Sequence, residues 1–148
     1  MKFVEIEWKG PHYASEIDLR DRLLRAPLGL TFTAEDIEAE ARQLHFGILH
    51  HDQLIACAVV VPLEDGVAKL RQMAVDHQRQ RGGVGSHLIR EIEDELRRRQ
   101  FRKIELNARK EAVAFYERLG YRRVGERFIE VKIPHWKMMR VIDETPAK

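Results

Sequence analysis

"HQRQRGGVGSHLIREIEDELRRR", residues 77–99, sets glycines at 82, 83 and 85 directly ahead of an amphipathic pattern. Val84, Leu88, Ile92 and Leu96 recur every four residues and Ile89 widens the stripe, so the spacing predicts a helix that opens at the glycines. The first turn of any helix carries backbone N–H groups without intrahelical partners, at the positive end of the dipole. Glycines there leave those donors uncovered, while Gln80 and Arg81 add side-chain donors, Arg being suited to phosphate. The pattern predicts a diphosphate cradle. Two other phosphate loops fail on spacing: no Lys-Ser/Thr follows as in a Walker loop, and Leu88 stands where a dinucleotide fingerprint needs its third glycine. On the opposite helix face Glu93 with Arg97, Asp94 with Arg98 and Glu95 with Arg99 stand at i, i+4 with the acid first, which predicts a solvated helix end.

Working outward, "LRQMAV" (70–75) before the helix and "KIELNA" (103–108) after it read as strands. Strand, helix, strand predicts a right-handed crossover and two parallel strands. Upstream, "HFGILH" (45–50), "LIACAVVV" (54–61) and "VAKLRQMAV" (67–75) are separated by short turn-like segments, an antiparallel meander. "KFVEIEW" (2–8) is a first strand. A helix is expected from Ser15, with Asp18 in capping-box spacing, carrying Ile17, Leu23 and Leu24 until Pro27 and Gly29 break it. Thr33 and Asp36 repeat the capping signal for a second helix. "EAVAFYERL" (111–119) is a short helix stopped by Gly120, and "YRRVGERFIEV" (121–131) and "IPHWKMMRV" (133–141) read as closing strands around Pro134. The tail "DETPAK" is expected to fray. One domain is expected over 1–148, without repeats.

Composition bounds the function. The 148 residues are 44% hydrophobic and 34% charged, the profile of a globular domain. The 26 basic residues nearly balance 24 acidic ones, for a net charge of +2, which disfavours nucleic acid as a general partner. Cys57 is the single cysteine, lies in an apolar run and is read as a buried thiol. No apolar run approaches the roughly 20 residues a membrane span needs, and the charged opening is no signal peptide. The expected location is the cytoplasm. No HExxH or CxxC spacing suggests a metal, and the pair His50–His51 is placed in a turn.

"QRGGVG" (80–85) resembles the acyl-CoA signature of the GNAT superfamily of N-acyltransferases. "LRQMAV" is similar to that family's fourth strand and "LNARKEAVAFYERLGYRRVGE" (106–126) to its fifth strand and following helix. "FIEVKIPHWKM" (128–138) resembles the hairpin ending of an ElaA-like subgroup, and "LLRAPLGL" (23–30) is also similar to bacterial members. The resemblance covers nearly the whole chain and is strongest from Leu70 to Gly125. It implies an α/β fold: a mixed, mostly antiparallel twisted sheet with helices on both faces, whose parallel strands 4 and 5 splay to admit the pantetheine arm. It further implies acetyl-CoA as cosubstrate, held by Met73, Ala74, Val75, Gln80, Arg81, Gly82, Gly83, Val84, Gly85, Ser86 and Asn107.

Acyl transfer from a thioester to an amine needs a neutral amine, a donor for the oxyanion and a proton for the departing thiolate, but no enzyme nucleophile. The residues alone favour core packing for a tyrosine beside Phe115 on an amphipathic helix, whereas the resemblance places Tyr116 near the CoA sulfur as general acid or sulfur-binding group. Asn107 has a turn or cap role as its alternative, and "QMAV" has plain strand packing. Glu130 and His135, on the closing hairpin where the resemblance implies the substrate mouth, are candidates for the amine side, although each by itself reads more readily as structural, and no base is identified. The expected activity is N-acetyltransfer to a primary amine of a small molecule, peptide or protein. A non-catalytic CoA-binding sensor is the alternative, a nucleic-acid-binding domain is a weaker third, and homodimerisation stays open.

Overall fold

The computed structural model describes residues 1–143; most of the expected frayed tail, from residue 144 on, lies outside the described residues. The fold class is α/β, with eight strands among the described residues, mostly antiparallel, and a parallel pairing between the fourth and fifth. The chain divides into two compact units, Met1–Val61 with Arg71–Ile92, and Pro62–Leu70 with Glu93 onward. Among the described residues no helix is long and apolar enough to cross a membrane.

In the first unit, β1 (Lys2–Glu5) pairs antiparallel with β2 (Leu44–His50), which pairs antiparallel with β3 (Gln53–Pro62). The C-terminal part of β4 (Val67–Val75) follows β3, and Asp76 N donates to Ile55 O (2.8 Å) at its end. The meander is therefore as expected. His51 (φ 50°) and Asp52 (φ 61°) turn the chain between β2 and β3. A core of Ile6, Tyr13, Leu19, Leu49, Leu54, Cys57 and Ala74 is extended by Val4, Trp8, Ile17, Leu23, Leu24 and Ile37.

Helix α1 spans Tyr13–Arg20, and the capping box expected from Ser15 and Asp18 does not form: the N-cap is His12, without a side-chain cap. The helix starts earlier than that box would set it because the face it buries is Tyr13, Glu16, Leu19 and Arg20, a tertiary demand that overrides the local capping signal. A wider turn over Asp21–Arg25 and a tight one over Ala26–Leu28 end it at left-handed Gly29 (φ 71°). Thr33 does form its box with Asp36 and opens α2 (Ala34–Ala39). Helix α3 (Val84–Arg98) buries Val84, Leu88, Ile89, Ile92 and Leu96, the stripe read from the sequence.

In the second unit, the N-terminal part of β4 pairs in parallel with β5 (Lys103–Arg109), from Val67↔Lys103 to Leu70↔Leu106. β5 pairs antiparallel along its length with β8 (Ile133–Val141). Helix α4 (Lys110–Arg118) follows β5. The first closing strand is broken into β6 (Arg122–Arg123) and β7 (Phe128–Glu130), both on β8. The hairpin does not turn at Pro134, which pairs with Ile129 inside the ladder; it turns at Val131 and Lys132, with φ 50° and 63°. Two successive left-handed residues are what a two-residue hairpin of matching twist requires.

The charged end of α3 is also only partly as expected. Glu95 pairs with Arg99 at i, i+4, but Asp94 takes Arg97 and Glu95 takes Arg98, both at i, i+3. Glu93 leaves the surface set: it is buried, accepts from Tyr121 Oη (2.9 Å) and pairs with Arg140 Nη1 (2.6 Å). A buried carboxylate needs such partners, and they outcompete an exposed Arg97.

Candidate functional site

The glycine loop is built by the backbone. Asp76 caps a short turn over His77–Arg79 through Gln78 N, and Gly82 N reaches Arg79 O (3.4 Å). Arg81 (φ 67°) and Gly83 (φ 84°) are left-handed. His87 N donates to Gly83 O (3.0 Å), so Gly83 is the residue from which α3 starts, and the N–H groups of Val84, Gly85 and Ser86 form its first turn. Arg81, Gly82 and Gly83 are exposed, while Val84 is buried and anchors the loop. A Cβ at Gly83 would meet nothing within 4 Å, so the space beside the loop is open, as an anion cradle requires. Gln80 Nε2 donates to Val75 O (2.9 Å), bracing the loop on the end of β4 and leaving one of its two amide hydrogens for other use.

Beneath the same strand lies a cluster that the sequence reading did not single out. Arg20 is buried, with Nη1 on Glu16 Oε2 and on Glu40 Oε1 (3.0 Å) and Nη2 on Glu40 Oε2. Tyr13 Oη donates to Glu40 Oε1 (2.8 Å). His45, also buried, sets Nδ1 2.8 Å from Glu16 Oε2 and Nε2 3.1 Å from the Glu40 carbonyl oxygen. Phe32 lies under the guanidinium at 4.8 Å. Burial opposes the charged form of His45, but its hydrogen bond and charge interaction with Glu16 outweigh that and hold its pKa above the usual value. Burial likewise works against ionised Glu40, and Arg20 nevertheless holds it below the carboxylate range. Glu16, Glu40 and His45 offer ligand atoms within 4.8 Å of one another, and the guanidinium is the cation matched to both carboxylates. The signal was present in the sequence: Tyr13, Glu16 and Arg20 recur with helical spacing on the face that holds Leu19. Cys57 is fully buried, and burial pushes its thiol far up, consistent with an inert side chain.

In the second unit Tyr116 is placed by the end of α4. Tyr121 N and Gly120 N return to Tyr116 O and Glu117 O (both 3.0 Å), with Gly120 left-handed at φ 96°. This closing motif brings together the residues at its two ends, and the Tyr116 and Tyr121 rings meet edge-on at 5.7 Å. Tyr121 is tied in turn to Glu93. Tyr116 is buried, and burial alone raises its phenol well above the usual value.

Cross-strand partners share a face, so Asn107↔Lys137 and Arg109↔His135 stand opposite the buried Ile104, Leu106 and Ala108. Asn107 Nδ2 donates to Glu130 Oε2 (3.0 Å), which joins the residue expected to contact CoA to one expected on the amine side. His135 is buried against Phe128, its Nδ1 2.8 Å from Ile133 O. A carbonyl only accepts, so His135 Nδ1 carries a hydrogen in this contact.

Solved structures share this fold. A Lactobacillus plantarum protein described provisionally as an N-acetyltransferase matches with a TM-score of 0.84 at 22% identity, over 95% of this chain and 97% of its own. Escherichia coli ElaA matches at 0.80 and 18%, over 94% and 98%. An aminoglycoside 6'-N-acetyltransferase complexed with coenzyme A matches at 0.79 and 20%, over 99% and 100%. Among curated proteins, the uncharacterized N-acetyltransferase YjcF of Bacillus subtilis is 33% identical over 79 residues, 53% of this chain and 56% of its own. The provisionally named N-acetyltransferase 14 of Xenopus tropicalis is 28% identical over 88 residues, 57% and 43% of the two chains. The matches thus span about half the length of these curated relatives. The acetyltransferase (GNAT) domain model matches residues 31–142, well over half of the sequence, and the chain belongs to the GNAT acetyltransferase family.

Proposed function

We propose that this protein transfers an acetyl group from acetyl-CoA directly to a primary amine of a small molecule, peptide or protein. The observation that carries the reading is the loop at the start of α3: left-handed Gly83, open space where its Cβ would be, and exposed Arg81 beside first-turn N–H groups. That arrangement suits a diphosphate, and a neighbour in fold is a coenzyme A complex. Acetyl-CoA supplies an already activated thioester, so the chain needs no nucleophile, in keeping with its buried cysteine. The first-turn amides of Val84, Gly85 and Ser86, with Gly82, Arg81 and Gln80, hold the diphosphate. Backbone groups of Met73, Ala74 and Val75 bind along the pantetheine arm, and one N–H there faces the negative charge that develops on the acyl oxygen. Asn107 contributes a polar contact to the same donor.

Tyr116 faces the sulfur. A phenol ordinarily titrates near ~10 and a thiol near ~8.5, and burial raises this phenol further. Complete proton transfer to the thiolate is therefore uphill, and Tyr116 acts chiefly by donating a hydrogen bond as charge grows on sulfur. On the amine side, Glu130 attracts the cationic amine and His135 Nε2 is the acceptor for its proton. The test is calorimetric titration with CoA, followed by thiol release from acetyl-CoA over a panel of amines. CoA binding without release on any amine would favour the sensor reading, and no CoA binding would end both. With an amine in hand, Tyr116→Phe is expected to lower kcat about 10²-fold, the low end for acid catalysis because thiolate leaves well, at unchanged CoA affinity and melting temperature. An unchanged kcat would return Tyr116 to packing.

A further inference from the structure

The backbone of β4 does something that its sequence gives no reason to expect. Gln72, inside the strand, has φ 49°, the left-handed region. Glycine adopts that conformation freely and other residues do so at a cost; nothing about a glutamine between Arg71 and Met73 favours it. The compensation is a side-chain contact from another element. Gln72 Oε1 accepts two hydrogen bonds from Arg20, from Nε at 2.9 Å and Nη2 at 2.7 Å. The guanidinium is itself immobilised, since its other N–H groups are taken by Glu16 and Glu40 and its face lies on Phe32. A buried, charge-matched Arg fixed on three sides is a rigid anchor for the carbonyl of an amide side chain.

We infer that Arg20 and Gln72 are positioning residues: the Arg20 guanidinium, held by Glu16 and Glu40, clamps Gln72 in its left-handed conformation and so sets the direction of the Met73–Val75 backbone for the acyl donor. The inference rests on the donor-site reading of Met73–Val75. It gives the buried cluster a task beyond packing, since the residue it grips directly precedes the three whose backbone is to meet the thioester. The clamp acts through conformation, so what matters at position 72 is the left-handed φ, and the side chain matters only as the handle that enforces it.

Two substitutions separate these. Gln72→Ala removes the handle and keeps the penalty on left-handed φ; Gln72→Gly removes the handle and the penalty together. With the clamp gone, alanine leaves the donor-competent conformation as a minor population, and apparent affinity falls by that fraction. Gln72→Ala is expected to weaken acetyl-CoA about tenfold by calorimetry, matching the left-handed penalty, while Gln72→Gly stays within about twofold of the parent. Three-bond HN–Hα couplings and the amide shifts of Met73, Ala74 and Val75 should report a move towards extended φ in the alanine variant, without any ligand. Parent-like couplings and affinity in Gln72→Ala would overturn the clamp. Changed couplings at parent-like affinity would overturn the positioning role. A glycine variant as impaired as the alanine one would also overturn it, because side-chain packing would then be the cause, and so would both variants failing to fold. Should the parent itself bind no acetyl-CoA, the donor-site reading falls and the positioning role with it, while the couplings still decide whether the clamp exists.

Discussion

The glycine loop, residues 80–85, and the cluster around Arg20 belong to the same unit and are built on opposite rules. In the loop the backbone is the working part: apart from the buried anchor Val84, side chains are absent or exposed, and conformation is set by residues adjacent in sequence, from the Asp76 cap to left-handed Gly83. In the cluster the side chains are the working part. Five polar residues drawn from positions 13, 16, 20, 40 and 45 are buried together with their charges matched. An exposed backbone site can be altered locally at modest cost, whereas a buried ionic cluster is secure only while every member is present. The comparison predicts a steep order of sensitivities.

The largest effect is expected at the centre of the cluster. Arg20→Ala leaves Glu16 and Glu40 buried with their common cation gone, and removing one partner of a buried pair costs roughly 3–5 kcal/mol. That is a large share of the stability of a domain this size. Urea denaturation of parent and variant measures it; a loss under about 1 kcal/mol would show that the carboxylates find water or protons and that the cluster is not integral.

The next effect is a pH dependence that the loop does not share. His45 has a folded pKa above its ordinary 6.5 because Glu16 outweighs burial, so its contribution is fully present below about 6.5 and is lost as pH rises through the raised folded value. Glu40, held below 4.5 by Arg20 against burial, contributes above about 4.5 and is lost as pH falls through its lowered value. Stability should therefore be greatest between these limits and decline toward alkaline pH with a slope of at most about 1.4 kcal/mol per pH unit for one proton. His45→Gln should flatten the alkaline side in denaturation curves taken from pH 6 to 9. An identical slope in the variant would assign the decline to another group.

The smallest effects belong to the loop. Gly83→Ala forces a Cβ into φ 84° and is expected to cost about 1 kcal/mol, with weaker CoA binding. Gly82→Ala adds the same methyl group where the nearest other atom, Arg79 O, is at 3.4 Å, and should change stability by no more than about 0.5 kcal/mol. Melting curves and CoA titrations on the pair sharpen the reading of the loop: if stability falls in Gly83→Ala while CoA affinity is unaffected, the glycine serves the turn and not the ligand.

Much of the fold was legible because its signals are local. The stripe of Val84, Leu88, Ile92 and Leu96, the Thr33–Asp36 box and the stop at Gly120 each depend on residues within a few positions. The structure departs from the local signals where distant partners intervene. Ser15 and Asp18 had capping spacing, but burying Tyr13 and Glu16 set the start of α1 earlier. Glu93 had an i, i+4 arginine, yet Arg140 and Tyr121, far along the chain, claim it.

By itself the sequence determined the strand order of the meander, the crossover helix, the exposed glycine loop and the resemblance that the family match bears out. Periodicity, capping and the φ preferences of glycine act over a few residues, so they can be read in one dimension. Only the tertiary structure decided that Arg20 meets Glu40 and Gln72, that Asn107 meets Glu130, and that a glutamine inside β4 turns left-handed. Each of these outcomes depends on partners distant in the chain that only folding brings together, and in the buried Arg20 cluster the desolvation of charge makes such partners obligatory.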